Sequence, residues 1–157
     1  MSVEGIRKLF EKDNLGHLVI YNEVTSDTVE NAAKMIGCKE EQIAKTMAFY
    51  VDEQTIVIVS SGEAKIDNAK YKKEFGKKAK MVPFDMAESV TGHIPGGISP
   101  FALKEGVKVY LDVSLKRFDI VYSGGGDEHN IVKCTIPLLE KYSNYEKWID
   151  VCKNWTE

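Results

Sequence analysis

At 157 residues, 43% apolar and 29% charged, the chain has the size and composition of one globular domain. Its net charge of -3 weighs against a general nucleic-acid binder, and DNA is not an expected partner. Three widely spaced cysteines (Cys38, Cys134 and Cys152) exclude a disulfide scaffold and a metal-ligand cluster, and they read as reduced packing thiols.

The elements follow from periodicity. Val3, Ile6, Leu9 and Phe10 recur at helical spacing and predict an amphipathic first helix. Residues 17–21 are a short β-rich run. Ser26 and Asp27 are candidate caps for the next helix, with Glu30 completing a capping box, Val29, Ala32, Ala33 and Ile36 turned inward, and Gly37 as the stop. The apolar, β-branched runs 44–51 and 55–60 predict a hairpin. A polar helix over 67–75 ends at Gly76, and Asp85 is expected to cap a short helix over 86–90. Strands are predicted over 107–113, 119–123 and 130–135, and Pro137 suits the first turn of a helix reaching Tyr142. The tail 145–157 carries Trp148, Ile149, Val151 and Trp155, too apolar to be free, and is expected to dock as a short helix.

Hairpin signals among the helices predict an α+β fold, a mixed and strongly curved, barrel-like sheet flanked by helices. With no repeat or linker, one domain over 1–157 is expected, with 145–157 as a docked extension. The N-terminus has no basic segment followed by a long apolar run. Nor does any stretch approach the roughly 18–20 apolar residues of a bilayer span. A cytoplasmic location without a membrane partner is therefore expected.

Four features could carry chemistry. Residues 92–101 hold three of the twelve glycines and two of the four prolines, a composition that can present backbone N–H groups in a fixed curve or simply form a rigid loop. Lys45 opens an apolar strand, either as an edge cation or as one aimed into a pocket, with Thr46 on the opposite side of the strand. Gly124, Gly125 and Gly126 precede Asp127, Glu128 and His129, which reads as a flexible turn or a close contact between backbone and ligand. Residues 70–80 carry six lysines (Lys70, Lys72, Lys73, Lys77, Lys78 and Lys80) and one glutamate, a local charge of +5 that is either a solvated face or a contact for an RNA backbone.

The order of these features resembles one family. Residues 28–33 (Thr-Val-Glu-Asn-Ala-Ala), Gly37, and 42–46 (Gln-Ile-Ala-Lys-Thr) before the hairpin resemble the first half of YbaK-type domains, the editing domains associated with prolyl-tRNA synthetase. Residues 96–101 (Gly-Gly-Ile-Ser-Pro-Phe) resemble that family's Gly-x-x-x-Pro loop, and 109–112 with the glycine-rich turn resemble its second half. The resemblance implies a trans-editing hydrolase acting on aminoacyl-tRNA that carries cysteine, alanine, serine or threonine on tRNA(Pro) or a related tRNA. It implies no metal and no cofactor, with a prolyl-type synthetase as a further partner. Lys45 is then the catalytic residue that holds and polarises the aminoacyl end. Thr46, Gly96, Gly97, Ile98, Ser99 and Pro100 line the pocket, Thr46 and Ile98 setting its size. Gly125, Asp127 and His129 carry over less closely as substrate-binding residues.

The absence of a Gly-x-Ser-x-Gly elbow and a His-Glu-x-x-His helix fits that chemistry, because an aminoacyl ester is already activated and needs positioning and oxyanion stabilisation. Two rival readings remain open on sequence. One is a non-catalytic module that holds aminoacyl-tRNA or a nucleotide on the same fold. The other is a scaffold that binds a partner through its aromatic tail.

Overall fold

A computed structural model describes residues 2–155; Met1, Thr156 and Glu157, the ends of the expected domain, lie outside the described residues. Among the described residues the order is α1 (Ser2–Glu11), β1 (Val19–Tyr21), α2 (Val29–Ile36), β2 (Ile43–Val51), β3 (Gln54–Ser61), β4 (Lys65–Ile66), α3 (Asn68–Phe75), α4 (Ala87–Thr91), β5 (Lys108–Asp112), β6 (Ile120–Gly124), β7 (Asn130–Thr135), α5 (Ile136–Ser143), β8 (Lys147–Ile149) and β9 (Cys152–Lys153). Seven strands form one mixed sheet in the order β1-β7-β6-β2-β3-β5-β8, and β4 pairs with β9 beside it. The expected mixed α+β domain is present. Its sheet is open, with β1 and β8 at the edges.

The core follows strand alternation, which sends successive side chains to opposite faces. On one face Ala44, Ala48, Val57, Val59 and Val121 pack against Ile6 and Phe10 of α1 and Leu139 of α5. The Phe10 ring meets Phe101 edge-on at 5.2 Å and lies 4.6 Å from Tyr142. On the other face Phe49, Ile56 and Ile58 pack against Tyr71 of α3 and the tail residues Ile149 and Val151. Farther along that face, Ala32 and Ala33 of α2 cover Ile43 and Ile131. β3 is central and apolar on both faces, so its sequence reads as a continuous run.

Three local expectations need correction. The cap of α2 is Thr28, whose Oγ1 accepts the Asn31 N–H at 3.0 Å; the Asp27 carboxylate instead accepts from the Asn31 side-chain amide at 2.9 Å. Asp85 lies inside a 3-10 turn over Phe84–Met86 and does not cap α4. The tail is not a helix. Lys147–Ile149 adds to β5 in parallel and Cys152–Lys153 pairs with β4, because the buried Asp112 carboxylate draws the Val151 N–H to 2.9 Å and keeps the chain extended. The tail's indoles are partly covered by their own chain. Trp148 donates to Glu140 at 2.9 Å, and Trp155 donates to the Cys152 carbonyl at 3.3 Å beneath the Arg117 guanidinium. That leaves little support for a partner surface built on them.

Burial pushes the Cys134 thiol up to about 12, and burial beside the Asp112 carboxylate does the same to Cys152. Cys38 is half-buried, with a smaller upward push from burial. Only thiolates alkylate readily. Iodoacetamide at mildly alkaline pH is therefore expected to label Cys38 alone in the native protein and all three thiols in guanidinium, counted by mass spectrometry. Native-state labelling of Cys134 at a similar rate would contradict this packing.

Candidate functional site

The sheet splits beside Lys45. β2 pairs with β3 along its length, from Ala44↔Ser61 to Val51↔Gln54, but with β6 only at Ile43↔Tyr122 and Ala44↔Ser123. Beyond Ala44 the two strands part and leave a cleft of about 180 Å³. Its walls are Asp27 and Thr28 at the start of α2, residues 43–46 of β2, residues 122–124 of β6, Ile131, and Gly96 with Ile98 from the loop.

Lys45 is half-buried in this wall, and its Nζ donates to the Ala64 carbonyl. Burial holds its pKa below the usual lysine value, with the Cys152 thiol acting against that shift and Lys65 adding to it. An ammonium has three donors, so the Ala64 bond leaves two for a ligand. Thr46 Oγ1 and Ser123 Oγ, both on the cleft wall, are buried and have no hydrogen-bond partner.

The loop is rigid for local reasons. Pro95 and Gly96 occupy the corners of a turn closed by the Gly97 N–H on the Ile94 carbonyl at 3.1 Å, with Gly96 at φ +88. Ser99 and His93 are fully buried; Ser99 Oγ accepts the Phe101 N–H at 3.2 Å, and His93 Nε2 lies 2.8 Å from the Phe101 carbonyl. Burial holds the His93 pKa down and favours the neutral ring, against the pull of the Phe101 carbonyl toward the protonated one. Ser99 and Pro100 thus anchor the loop, while Gly96 and Ile98 face the cleft. Among the described residues, the N–H groups of Gly96, Ile98 and Ser99 have no acceptor in the protein.

The two glycine-rich segments lock together. The Gly126 N–H donates to the Gly97 carbonyl at 2.8 Å and the Gly125 N–H to the Asn130 carbonyl at 3.0 Å. A Cβ on Gly97 would sit 2.4 Å from the Asp127 Cα, and one on Gly124 2.3 Å from the Ile98 carbonyl oxygen. Asp127 Oδ1 accepts from the His129 N–H at 2.8 Å and from Asn130 at 2.9 Å, and His129 Nδ1 lies 3.0 Å from the Asn22 carbonyl. Gly125, Asp127 and His129 therefore build the turn behind the cleft and are not on its wall.

Of the residues singled out from sequence, Lys45, Thr46, Gly96 and Ile98 meet at the cleft. Gly97, Ser99 and Pro100 support it from behind. Gly124, the first of the glycine run, also lines it, and Asp27, Tyr122 and Ser123 do so without having been singled out as site residues; Ser123, the last residue before that run, carried the nearest sequence signal. The lysine-rich segment is elsewhere. Lys70 is held by Asp150 at 3.1 Å and by the Cys152 carbonyl at 3.0 Å. Lys77 pairs with Asp52 at the far turn of the hairpin, seven strand residues or roughly 20 Å from Lys45. Lys72, Lys73 and Lys78 are exposed.

The family model of the aminoacyl-tRNA editing domain matches residues 23–142. The chain belongs to the aminoacyl-tRNA editing domain family. Uncharacterized protein YwhH of Bacillus subtilis (strain 168) is 42% identical over 156 residues, covering 99% of both chains. A proline–tRNA ligase of Leptospira biflexa is 29% identical over 129 residues, 79% of this chain but 21% of the ligase, so the editing domain spans about a fifth of that enzyme. Among solved structures, a candidate trans-editing enzyme for prolyl tRNA synthetase superposes with a TM-score of 0.85 at 22% identity, over 98% of each chain. The hypothetical protein APE2540 does so with a TM-score of 0.77 at 24% identity, over 86% of this chain and 90% of its own. These two likenesses concern the fold. The family match leaves out α1, β1 and the tail from β8 on, although Phe10 and Cys152 of those segments are fully buried in the same domain. No helix among the described residues is long and apolar enough to cross a membrane.

Proposed function

We propose that this editing domain deacylates mischarged aminoacyl-tRNA in trans, removing cysteine, alanine, serine or threonine from tRNA(Pro) or a related tRNA. The observation that carries the reading is the split between β2 and β6. It sets a half-buried ammonium, Lys45, in one wall and the acceptor-free N–H groups of Gly96 and Ile98 in another. An ester carbonyl between them would build its negative charge against donors already in place, the arrangement that stabilises a tetrahedral intermediate. A water adds to the carbonyl carbon, the bond to the ribose oxygen breaks, and that oxygen takes the proton as the amino acid leaves. A neighbouring ribose hydroxyl would position that water, and on a cysteinyl substrate the thiol can attack first, the ribose oxygen leaving with the thiol proton and water then opening the thiolactone. No protein nucleophile is required, because the ester is activated and the cleft supplies position.

Synthetases discriminate amino acids that differ by one methylene by only about 1–3 kcal/mol, which leaves an error for a second site to remove. The sequence likeness to proline–tRNA ligases favours tRNA(Pro) as the carrier and a prolyl-type synthetase as the companion. The exposed Lys72, Lys73 and Lys78 are offered as a weak contact for the tRNA backbone, with Lys70 and Lys77 already engaged in ion pairs.

The test is to incubate the protein with tRNA(Pro) charged separately with cysteine, alanine, serine, threonine and proline, and to follow ester loss. Rapid loss from one mischarged species with prolyl-tRNA spared is the expected result. Spontaneous rates throughout, repeated with bulk aminoacyl-tRNA, would leave a binding module in place of the enzyme.

A further inference from the structure

We infer that Thr46 and Ser123 are the specificity-determining pair of the cleft, selecting an aminoacyl group whose small side chain carries a hydroxyl over one that ends in a bare methyl. The inference rests on the deacylase reading and names its substrate class.

Strand alternation decides where the pair sits. Thr46 lies on the same face of β2 as Ala44 and Ala48, and Ser123 on the same face of β6 as Val121, all of which point into the large core. Ile43 and Tyr122 turn to the α2 face, and so does Lys45 by the same alternation. The cleft therefore runs through the sheet. Asp27 and Lys45 stand on the α2 side, where Asp27 is exposed, and the two hydroxyls form the floor on the core side. Ser123 is paired with Ala44, two residues before Thr46, so the hydroxyls are diagonal neighbours across the strand gap.

Both hydroxyls are buried without a partner. Each offers one donor and two acceptor positions, and buried polar groups of this kind are normally satisfied. A side-chain hydroxyl reaching the floor can donate to one and accept from the other; a methyl leaves both unpaired. The ester end stays with Lys45 and the loop N–H groups, and the exposed Asp27 carboxylate is placed to take the α-ammonium. Neither competes for the floor. At about 180 Å³ the cleft is smaller than the roughly 300–1,000 Å³ of pockets for drug-sized ligands, which suits a side chain of serine or threonine size.

A site built to hydrogen-bond a substrate hydroxyl can reject the analogue lacking it by up to about 10⁴–10⁵-fold, and for one hydroxyl over two partners roughly 100-fold is expected. The experiment compares kcat/KM for seryl- and alanyl-tRNA(Pro) in the wild type, Thr46→Val, Ser123→Ala and Thr46→Ser. Binding of the non-hydrolysable 3′-serylamino and 3′-alanylamino adenosine analogues is measured alongside. The seryl-to-alanyl ratio should be roughly 100 in the wild type, collapse to within a few-fold of one in Thr46→Val and Ser123→Ala, and recover in Thr46→Ser. Equal wild-type rates, or a ratio unmoved by both deletions, would overturn the inference and leave the deacylase standing. No ester loss, with tighter binding of the seryl analogue that depends on both hydroxyls, would sink the deacylase and keep the pair as a selective floor. Neither ester loss nor analogue preference would remove both.

Discussion

Lys45→Met is expected to slow deacylation by about 100-fold or more while moving the melting temperature by no more than about 4 °C, some 1 kcal/mol. The kinetic half follows from position. Lys45 stands in the cleft wall at the point where β2 leaves β6, and among the residues lining the cleft it is the only cation. Partial burial strengthens the attraction between its ammonium and charge developing on a carbonyl oxygen, because the local dielectric is below that of water. The stability half follows from the same burial. Its pKa is held below the ordinary lysine value chiefly by desolvation, so the folded state disfavours the charged form. The cost is fully present below the lowered folded pKa and is relieved as pH rises from there toward the unfolded value. Methionine keeps the stem packing and removes the charge; the loss is the donor to the Ala64 carbonyl. Lys45→Arg is not a safe control, since a planar fork cannot reproduce a compact ammonium in so small a cleft. The check is single-turnover ester loss beside thermal unfolding. A large fall in melting temperature with unchanged kcat/KM would make Lys45 structural.

Much of the fold was legible because its elements carry local signals. The apolar, β-branched runs 44–51 and 55–60 fall within a residue of the ends of β2 and β3, and α2 and α3 each stop at a glycine in the left-handed region, Gly37 and Gly76. The tail was misread because Trp148, Ile149 and Val151 fit a helical period and a strand period over so short a stretch. What decides is Asp112, some forty residues away in sequence, whose carboxylate holds the Val151 N–H. The site was legible only in part for the same reason. Lys45 and the Gly-Gly-Ile-Ser-Pro loop are local patterns. The gap between β2 and β6 is a long-range parallel pairing that stops after two residues, and nothing in either strand alone announces it. Ser123 lines the cleft because of that gap, and Asp127 and His129 lie behind the wall, where Asp127 Oδ1 is bonded to Asn130 and His129 Nδ1 lies against the Asn22 carbonyl. The glycines were expected where backbone and ligand meet closely, whereas what approaches Gly97 and Gly124 is the backbone of the protein itself.

Gly97→Ala is accordingly expected to cost about 3 kcal/mol, at the upper end of ordinary overpacking, and to lower the melting temperature by roughly 10 °C. The new Cβ would lie 2.4–2.6 Å from the Cα, N and C of Asp127, and those are backbone atoms with no rotamer to yield. The loop and the turn must separate, which breaks the Gly126 N–H bond to the Gly97 carbonyl. Ile98 moves with the loop, so deacylation should fall at temperatures where the variant remains folded. Gly124→Ala makes the same argument from the other side, with its Cβ 2.3 Å from the Ile98 carbonyl oxygen and the cleft wall itself displaced. The comparison that isolates the cause is Gly76→Ala at the end of α3. There φ is +75 but nothing lies within 4 Å of the added carbon, so only left-handed backbone strain of about 1–2 kcal/mol applies. Two variants that lose stability, one with and one without loss of activity, would tie the cleft to the contact between the two glycine segments. Equal losses of both properties in Gly76→Ala and Gly97→Ala would show that activity follows global stability instead.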